Sequence, residues 1–350
     1  MTTKKPVSLV TGACGFMGTH MVEILHEAGH HVRATDLASA YEADDLKRGR
    51  FPGVLRKLGA EFTPSDMTKP ESLRPLVKGV DYIFHIAAVF DYLAPWEVLY
   101  KVNVIGSREL FKMAVEEKNL KKLVLWGAGG VYGFSRPYRE IYTEDMAPEP
   151  GNNYLKSKWQ AEFDLMEMGR KHKLPFAIMR PTTVYGPRGV YGGGQMIMAA
   201  AKMKTAATPA SFTEHIPFVH VRDVCSAALH LAVTDSATGE IFNLNDDTIM
   251  TTIEFFQYVA EITGHKFVKL PPIPVKPLRP VVKGVATVME AVFKAIGTRP
   301  PLERDSASYF GHDFRYANEK LKKTGYKFVY ADARDGLRDT IDWYKKEGWL

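Results

Sequence analysis

Two cysteines, Cys14 and Cys225, are all that this 350-residue chain contains. That scarcity excludes a disulfide framework and fits a reducing compartment. Cys14 and Cys225 read as small apolar packing residues rather than nucleophiles. No apolar run reaches the roughly 18 residues that a spanning helix needs. The basic start of the chain leads into only four apolar residues, 7–10, and then into glycines. That is too short for a signal segment, so a cytoplasmic protein is expected. Repeats and low-complexity tracts are missing too. Lysine and arginine exceed the acids, for a net charge of +6, yet form only short clusters such as Lys118/Lys121/Lys122 and Lys320/Lys322/Lys323. A nucleic-acid-binding stripe would be more concentrated, so no nucleic-acid partner is expected.

What is present is ordinary globular usage, 45% hydrophobic and 25% charged, enough for a sizeable core. Short apolar runs predict strands at 7–10, 31–35, 82–87, 123–126, 176–179 and 241–244. Between them lie amphipathic stretches such as 104–118 and a helix over about 16–28. This alternation predicts an α/β fold, a Rossmann-type doubly wound parallel sheet. The last third changes character. Helices are expected over 252–263, 317–324 and 333–346, with a proline-rich connector at 271–280. The segment 281–296 is apolar over much of its circumference but carries Lys283, Glu290 and Lys294. It predicts burial or an interfacial position, and leaves membrane contact open.

Two motifs carry chemistry. Thr11-Gly12-Ala13-Cys14-Gly15-Phe16-Met17-Gly18 follows the first strand and opens a helix, and Asp36 closes the second strand. That context marks a dinucleotide fingerprint. Gly12 permits the tight turn, Gly15 lets the backbone approach a pyrophosphate, and Gly18 brings helix and strand together. The helix N-terminus supplies donors for phosphate. A carboxylate at Asp36 accepts hydrogen bonds from ribose hydroxyls and repels a 2′-phosphate, which favours NAD over NADP. No arginine follows it, and strand alternation does not bring Arg33 clearly to the ribose. The second motif is Tyr154-Leu155-Lys156-Ser157-Lys158. Residues i and i+4 share a helix face. An ammonium at Lys158 can lower the Tyr154 phenol from its usual value near 10, leaving a phenolate that takes a proton from an alcohol as hydride departs.

With these motifs in place, the chain resembles an extended short-chain dehydrogenase/reductase of the NAD-dependent epimerase/dehydratase kind. Further segments carry the resemblance: Asp66-Met67, similar to the family's adenine-contacting acid; His85-Ile86-Ala87-Ala88 at the cofactor cleft; Val102-Asn103-Val104; Arg180 to Pro187, including Pro181, Thr183 and Tyr185, near the nicotinamide; and Phe218 to Val224 returning into the nucleotide domain. Taken singly, Asp66 could be a turn residue, His85 a core histidine and Asp223 a helix cap. The resemblance implies an NAD-binding Rossmann domain over 1–180 with 218–248, and a substrate-binding domain over 181–217 with 249–350. It also implies a homodimer. No metal-ligand set is assigned.

One departure stands out. The family's substrate-binding serine or threonine falls at Ala128, within Trp126-Gly127-Ala128-Gly129-Gly130-Val131-Tyr132-Gly133. Losing one such donor costs roughly a hundredfold or more in rate. A water, a cofactor hydroxyl or another side chain must substitute, or turnover is poor; lost bulk over 127–130 could instead admit a larger substrate. Nucleotide-sugar relatives carry an Arg-Asp pair where this chain has Ile216 and Pro217. Met196, the run 195–201, Phe212 and 281–296 suit a large apolar ligand, and Ala128, Tyr185 and Met196 are the expected substrate contacts. The pattern therefore resembles the branch of 3β-hydroxysteroid dehydrogenases and sterol-4α-carboxylate 3-dehydrogenases. That resemblance implies oxidation of a ring hydroxyl by Tyr154 with NAD as hydride acceptor, and loss of carbon dioxide if a 4-carboxylate adjoins the new ketone. A nucleotide-sugar epimerase or dehydratase and a non-catalytic NAD-binding regulator stay open as alternatives. Tyr154 and Lys158 weigh against the regulator.

Overall fold

The structure is a computed structural model that describes residues 5–134, 140–298 and 300–350. Seven strands among the described residues form one parallel sheet: β1 (Val7–Thr11), β2 (His31–Thr35), β3 (Glu61–Phe62), β4 (Tyr82–His85), β5 (Lys122–Trp126), β6 (Phe176–Pro181) and β7 (Glu240–Leu244). Their order is β7-β6-β5-β4-β1-β2-β3, and every pair is parallel. Parallel strands demand crossovers, and the helices of those crossovers cover both faces, so β1, β4, β5 and β6 are buried along their whole length.

On one face α1 (Phe16–Glu27) packs Met21, Val22 and Leu25 against Val10, Ala34 and Phe84. On the other face α2 (Ser107–Glu116) and α3 (Asn153–His172) enclose Leu9, Ile83, Leu123 and Ile178 with Leu110, Phe111 and Leu165. The Asn152 side chain caps α3, accepting from Leu155 N at 2.9 Å. α4 (Gly193–Ala201), α5 (Val221–Val233), α6 (Thr252–Thr263), α7 (Val275–Ala295) and α8 (Ala333–Lys346) follow. A third core joins α4, α6 and α8 around Phe218, Phe255 and Leu337. Because the chain order reverses between β1 and β4, a crevice opens at their carboxyl ends, the place where such sheets take ligands.

Two expectations need correction. The proline-rich connector is not a loop beyond Pro274, because α7 begins at Val275. Its early prolines fall where a helix has few internal donors to lose, and Pro280 forfeits one backbone bond inside it. Of the two positions expected for the apolar segment that follows, burial does not hold: Ala286 is the only buried residue of α7.

Candidate active site

The dinucleotide turn is built for a ligand. Gly12 has φ +69, and a Cβ there would fall 2.9 Å from the Ala87 backbone. At Gly18 a Cβ would fall 2.0 Å from the Gly12 carbonyl. Both glycines are therefore required by protein packing. Gly15 is not: its φ is an ordinary −78, and a Cβ would meet only Gly12 O, at 3.4 Å. The bare position faces outward at the start of α1, which has no side-chain cap and no acid in its first turn. Free amides, positive helix potential and room for close approach fit a pyrophosphate. Asp36 follows β2 across the turn. Its Oδ2 accepts from Cys14 N at 3.1 Å and its Oδ1 from Leu37 N at 2.8 Å. Burial pushes its carboxyl above the usual range. Gly12, Gly15, Gly18 and Asp36 together fit an adenine dinucleotide.

The other residues singled out there have simpler surroundings. Cys14 is wholly buried and its thiol is pushed up to about 12. Phe16 meets His20 edge-on at 5.8 Å, and the Met17 carbonyl accepts from Cys225 Sγ. Asp66 Oδ1 accepts from both N and Oγ1 of Thr68 at 2.8 Å, which holds the turn after β3 and keeps the carboxyl low. Met67 is buried against Gly106. Arg33 donates to the carbonyls of Leu76 and Lys78, away from Asp36. Arg50 is bridged to Gly15 through the backbone, its guanidinium donates to the Ser39 carbonyl at 3.4 Å, and its charge favours the ionised form of Asp36 against burial; sequence reading missed it because a separate turn brings it there.

The loop after β4 ties the nucleotide crevice to α3. Thr11 Oγ1 accepts from Ile86 N and Ala87 N at 3.1 Å each and bonds His85 Nδ1 at 2.8 Å. His85 is a core histidine: it is wholly buried, bonds Ser107 Oγ at 2.8 Å, and is pushed down to about 3 by burial. Past Ala88, Asn103 receives Val89 N at 2.7 Å and donates to Ser157 Oγ at 2.9 Å. Ser157 in turn donates to Tyr154 O at 2.7 Å. Asn103 lies in a π-helical turn, Tyr100–Gly106, a distortion frequent at functional sites.

Tyr154 and Lys158 lie one turn apart on α3, with Lys158 buried. The electrostatics differ from expectation. Burial, followed by the neighbouring Tyr309 and Glu162, pushes the Tyr154 phenol above its usual value. Burial also pushes the Lys158 ammonium down to about 8. In an enclosed site the loss of water penalises the charged form of each group. Glu162, one further turn along, is fully buried and accepts from Arg180 Nε at 2.9 Å and Nη2 at 2.8 Å. Arg180 Nη1 also donates to Tyr132 Oη at 2.8 Å. A Cβ on Gly127 would lie 2.1 Å from Glu162 Oε1, so the carboxylate occupies the space that a side chain would need. The helical spacing of Tyr154, Lys158 and Glu162 was a signal that sequence reading could have used.

Above Tyr154 the walls are aromatic. The ring of Phe90 is 4.9 Å away and that of Tyr92 5.8 Å, and Tyr191 meets Phe90 at 4.8 Å. Tyr309 stacks on Tyr92 at 6.4 Å, with their hydroxyls 3.3 Å apart. Ala128 is buried in the cluster that includes Leu155, Tyr154 and Tyr309, and presents only a methyl. Pro181 and Thr182 flank Gly129, where a Cβ would lie 3.2 Å from Pro181 O. Thr183 N donates to Pro217 O at 2.9 Å.

Two substrate expectations fail. Tyr185 is wholly buried, its hydroxyl donates to Ala333 O at 3.3 Å, and its ring packs on Phe218. Met196 packs on that same third core. Tyr185 builds the scaffold and Met196 is partly drawn into it, because the core between α4, α6 and α8 claims their apolar surface before the crevice can. Asp223 is structural too: its carboxylate accepts from Val329 N, Tyr330 N and Tyr326 Oη at 2.6–2.9 Å. Among the described residues no group of three or more His, Cys, Asp or Glu converges as a metal site.

Comparison with known proteins adds to this geometry. The sequence profile described as "NAD dependent epimerase/dehydratase family" matches residues 8–244. Sterol demethylase protein B of Methylococcus capsulatus is 25% identical over 359 residues, covering 98% of this chain and 99% of that one. Mouse sterol-4-alpha-carboxylate 3-dehydrogenase, decarboxylating, is 28% identical over 72% of this chain and 67% of its own. Dihydroflavonol 4-reductase of Zea mays is 25% identical over 71% and 72%. Among solved structures, gox2253 superposes with a TM-score of 0.76 at 27% identity, over 99% of this chain and 100% of that one. UDP-glucose 4-epimerase of Thermotoga maritima gives 0.74 at 22%, over 97% and 99%, and shares the fold.

Proposed function

The chain belongs to the NAD dependent epimerase/dehydratase family and is an NAD-dependent oxidoreductase; from that premise we propose that it oxidises a ring hydroxyl of a bulky apolar alcohol of the 3β-hydroxysterol type. The observation that carries this reading is the aromatic enclosure of Tyr154 by Phe90 and Tyr92, with Tyr191 behind Phe90. Such walls exclude water and favour a rigid apolar ring system. Ile216 and Pro217 offer no guanidinium where a diphosphate would be gripped. Two relatives named for sterol chemistry, one aligned along nearly its whole length, support the same class.

In this reading residues 1–180 and 218–248 hold the nucleotide, and 181–217 with 249–350 shape the substrate side. NAD, when bound, supplies the hydride acceptor. Gly12, Gly15 and Gly18 with the α1 amides hold the pyrophosphate and Asp36 the ribose. Cys14, Phe16, Met17, Asp66, Met67, Ala87, Ala88, Pro181 and Thr183 line the remaining course. Tyr154 takes the proton from the substrate hydroxyl, and Lys158 steadies the phenolate with its ammonium. The hydrogen bond that Ala128 cannot make to the substrate oxygen comes from Tyr309, whose hydroxyl reaches past the bare Gly130. A substrate with a carboxylate beside the new ketone loses carbon dioxide, since the ketone accepts the electron pair as an enolate.

The test is NADH formation, followed by absorbance, with purified protein, NAD and a panel of 3β-hydroxysterols, 4-carboxysterols and UDP-glucose. Oxidation of sterols is expected. Conversion of UDP-glucose to its 4-epimer or to a dehydrated sugar, followed by chromatography because such turnover returns the hydride and leaves no NADH, with no sterol oxidised, would replace this reading by nucleotide-sugar chemistry.

A further inference from the structure

From α7 and its approaches we infer a docking surface for an anionic lipid bilayer, on which the protein lies without crossing it. The apolar residues of α7 do not all face the protein. Val281, Val285, Val288 and Val292 recur at steps of four, three and four, and Ile296 continues them, so they form one stripe along the helix. All are more than half exposed, from 52% at Val285 to 64% at Val288. Exposed Gly284, Ala291 and Ala295 widen the face, and Leu270 and Ile273, just before the helix in the chain, are exposed as well. Monomeric proteins seldom leave so continuous an apolar face in water.

The charge around this face selects the occupant. Lys266, Lys269, Lys276, Arg279, Lys283 and Lys294 lie between residues 266 and 298, against the single acid Glu290. That segment carries nearly all of the chain's net charge of +6, and the Glu290 carboxylate is engaged by Arg304 N. The exposed Lys276, Lys283 and Lys294 share the opposite side of the helix from the valines. An apolar face backed by a lysine-bearing polar face is the pattern of a helix lying in a lipid interface, its valines among acyl chains and its long ammonium side chains reaching back to headgroup phosphates. A second copy of the chain fits less well, because a two-fold contact would set this cationic segment against itself. No described helix is long and apolar enough to cross a membrane.

The face is mechanically joined to the chamber. Arg279 donates to the Gly311 carbonyl, Phe310 meets Phe212 at 5.5 Å, and Tyr309, adjoining Phe310, holds its hydroxyl beside Tyr92. Docking would set the aromatic chamber close to a bilayer that stores apolar alcohols. The surface itself stands apart from any choice of substrate, and its test uses no activity.

Cys14 and Cys225 are wholly buried, so Val288→Cys provides one accessible thiol for an environment-sensitive dye. The full chain is mixed with vesicles of phosphatidylcholine, alone or with phosphatidylglycerol. Sedimentation with the anionic vesicles and a blue shift of the dye are expected, with neither on phosphatidylcholine alone. Val285→Glu with Val292→Glu, which keeps every lysine, should weaken binding by about tenfold or more, with NAD binding and melting temperature unchanged. Val285→Ser with Val292→Ser serves if the glutamates disturb folding. Absence of sedimentation, a dye left in water, or full binding by the valine variants would overturn the inference. So would a dimer that these substitutions dissociate in the absence of any lipid binding.

Discussion

The hydroxyl of Tyr309 stands against Gly130 so closely that a Cβ on that glycine would lie 3.0 Å from it. The bare backbone at 130 thus admits a phenol from the far end of the chain into the region where Ala128 offers no donor. Tyr309→Phe is expected to lower kcat by about a hundredfold, the cost of one positioned donor. Ala128→Ser in that background should restore about tenfold, because a hydroxyl then returns to the other side of the same oxygen. Steady-state kinetics with the best sterol of the panel decides it; an unchanged kcat in Tyr309→Phe removes the assignment.

Tyr154→Phe removes the proton acceptor and keeps the ring. Turnover should fall by about a thousandfold or more, while NAD binding, followed by tryptophan fluorescence, stays within about threefold. Activity left intact would dismiss Tyr154 as the base.

Arg50, bridged to Gly15 at the dinucleotide turn, makes the coenzyme preference fragile. Asp36→Ser deletes the carboxylate that opposes a 2′-phosphate and leaves the guanidinium to receive it. The ratio of kcat/KM for NADP to that for NAD should rise about tenfold or more. An unmoved ratio would show that Asp36 does not face the ribose.

His85 carries a pH signature. Its folded value is about 3, against about 6.5 in the unfolded chain. Between those values the unfolded chain binds the extra proton, so stability is complete above about pH 6.5 and declines as the pH falls, by up to ~1.4 kcal/mol per unit. His85→Gln should be less stable at pH 7 and should lose that part of the slope in urea unfolding.

The buried Glu162–Arg180 pair predicts a packing defect. Glu162→Leu leaves the Arg180 guanidinium uncompensated and should cost about 3–5 kcal/mol. Gly127→Ala forces a Cβ into the same carboxylate and should lower the melting temperature too. A melting curve unaffected by either change would contradict the packing described.

Much of this molecule is legible in its sequence because the signals are local. The glycine turn, β1, α1 and the Asp36 strand are consecutive, and their periodicity and φ requirements are written within some thirty residues. Tyr154 and Lys158 share a helix face by spacing alone. Errors arose where one local pattern served two purposes. Tyr185 and Met196 carry apolar character that fits a substrate wall as well as a core, and only the packing of α8 on α4 and α6 buries Tyr185 and partly covers Met196. The prolines at 277 and 280 suggested a connector, yet an exposed helix tolerates them near its start.

The sequence by itself determined the parallel sheet, the dinucleotide turn and the tyrosine–lysine pair, since each follows from spacing along a strand or a helix. Tertiary structure alone decided that Tyr309 and Arg50 reach the crevice, and that the valines of α7 face outward. Those are contacts and exposures between segments far apart in the chain, settled by which surfaces the core consumes first and which it leaves to other partners.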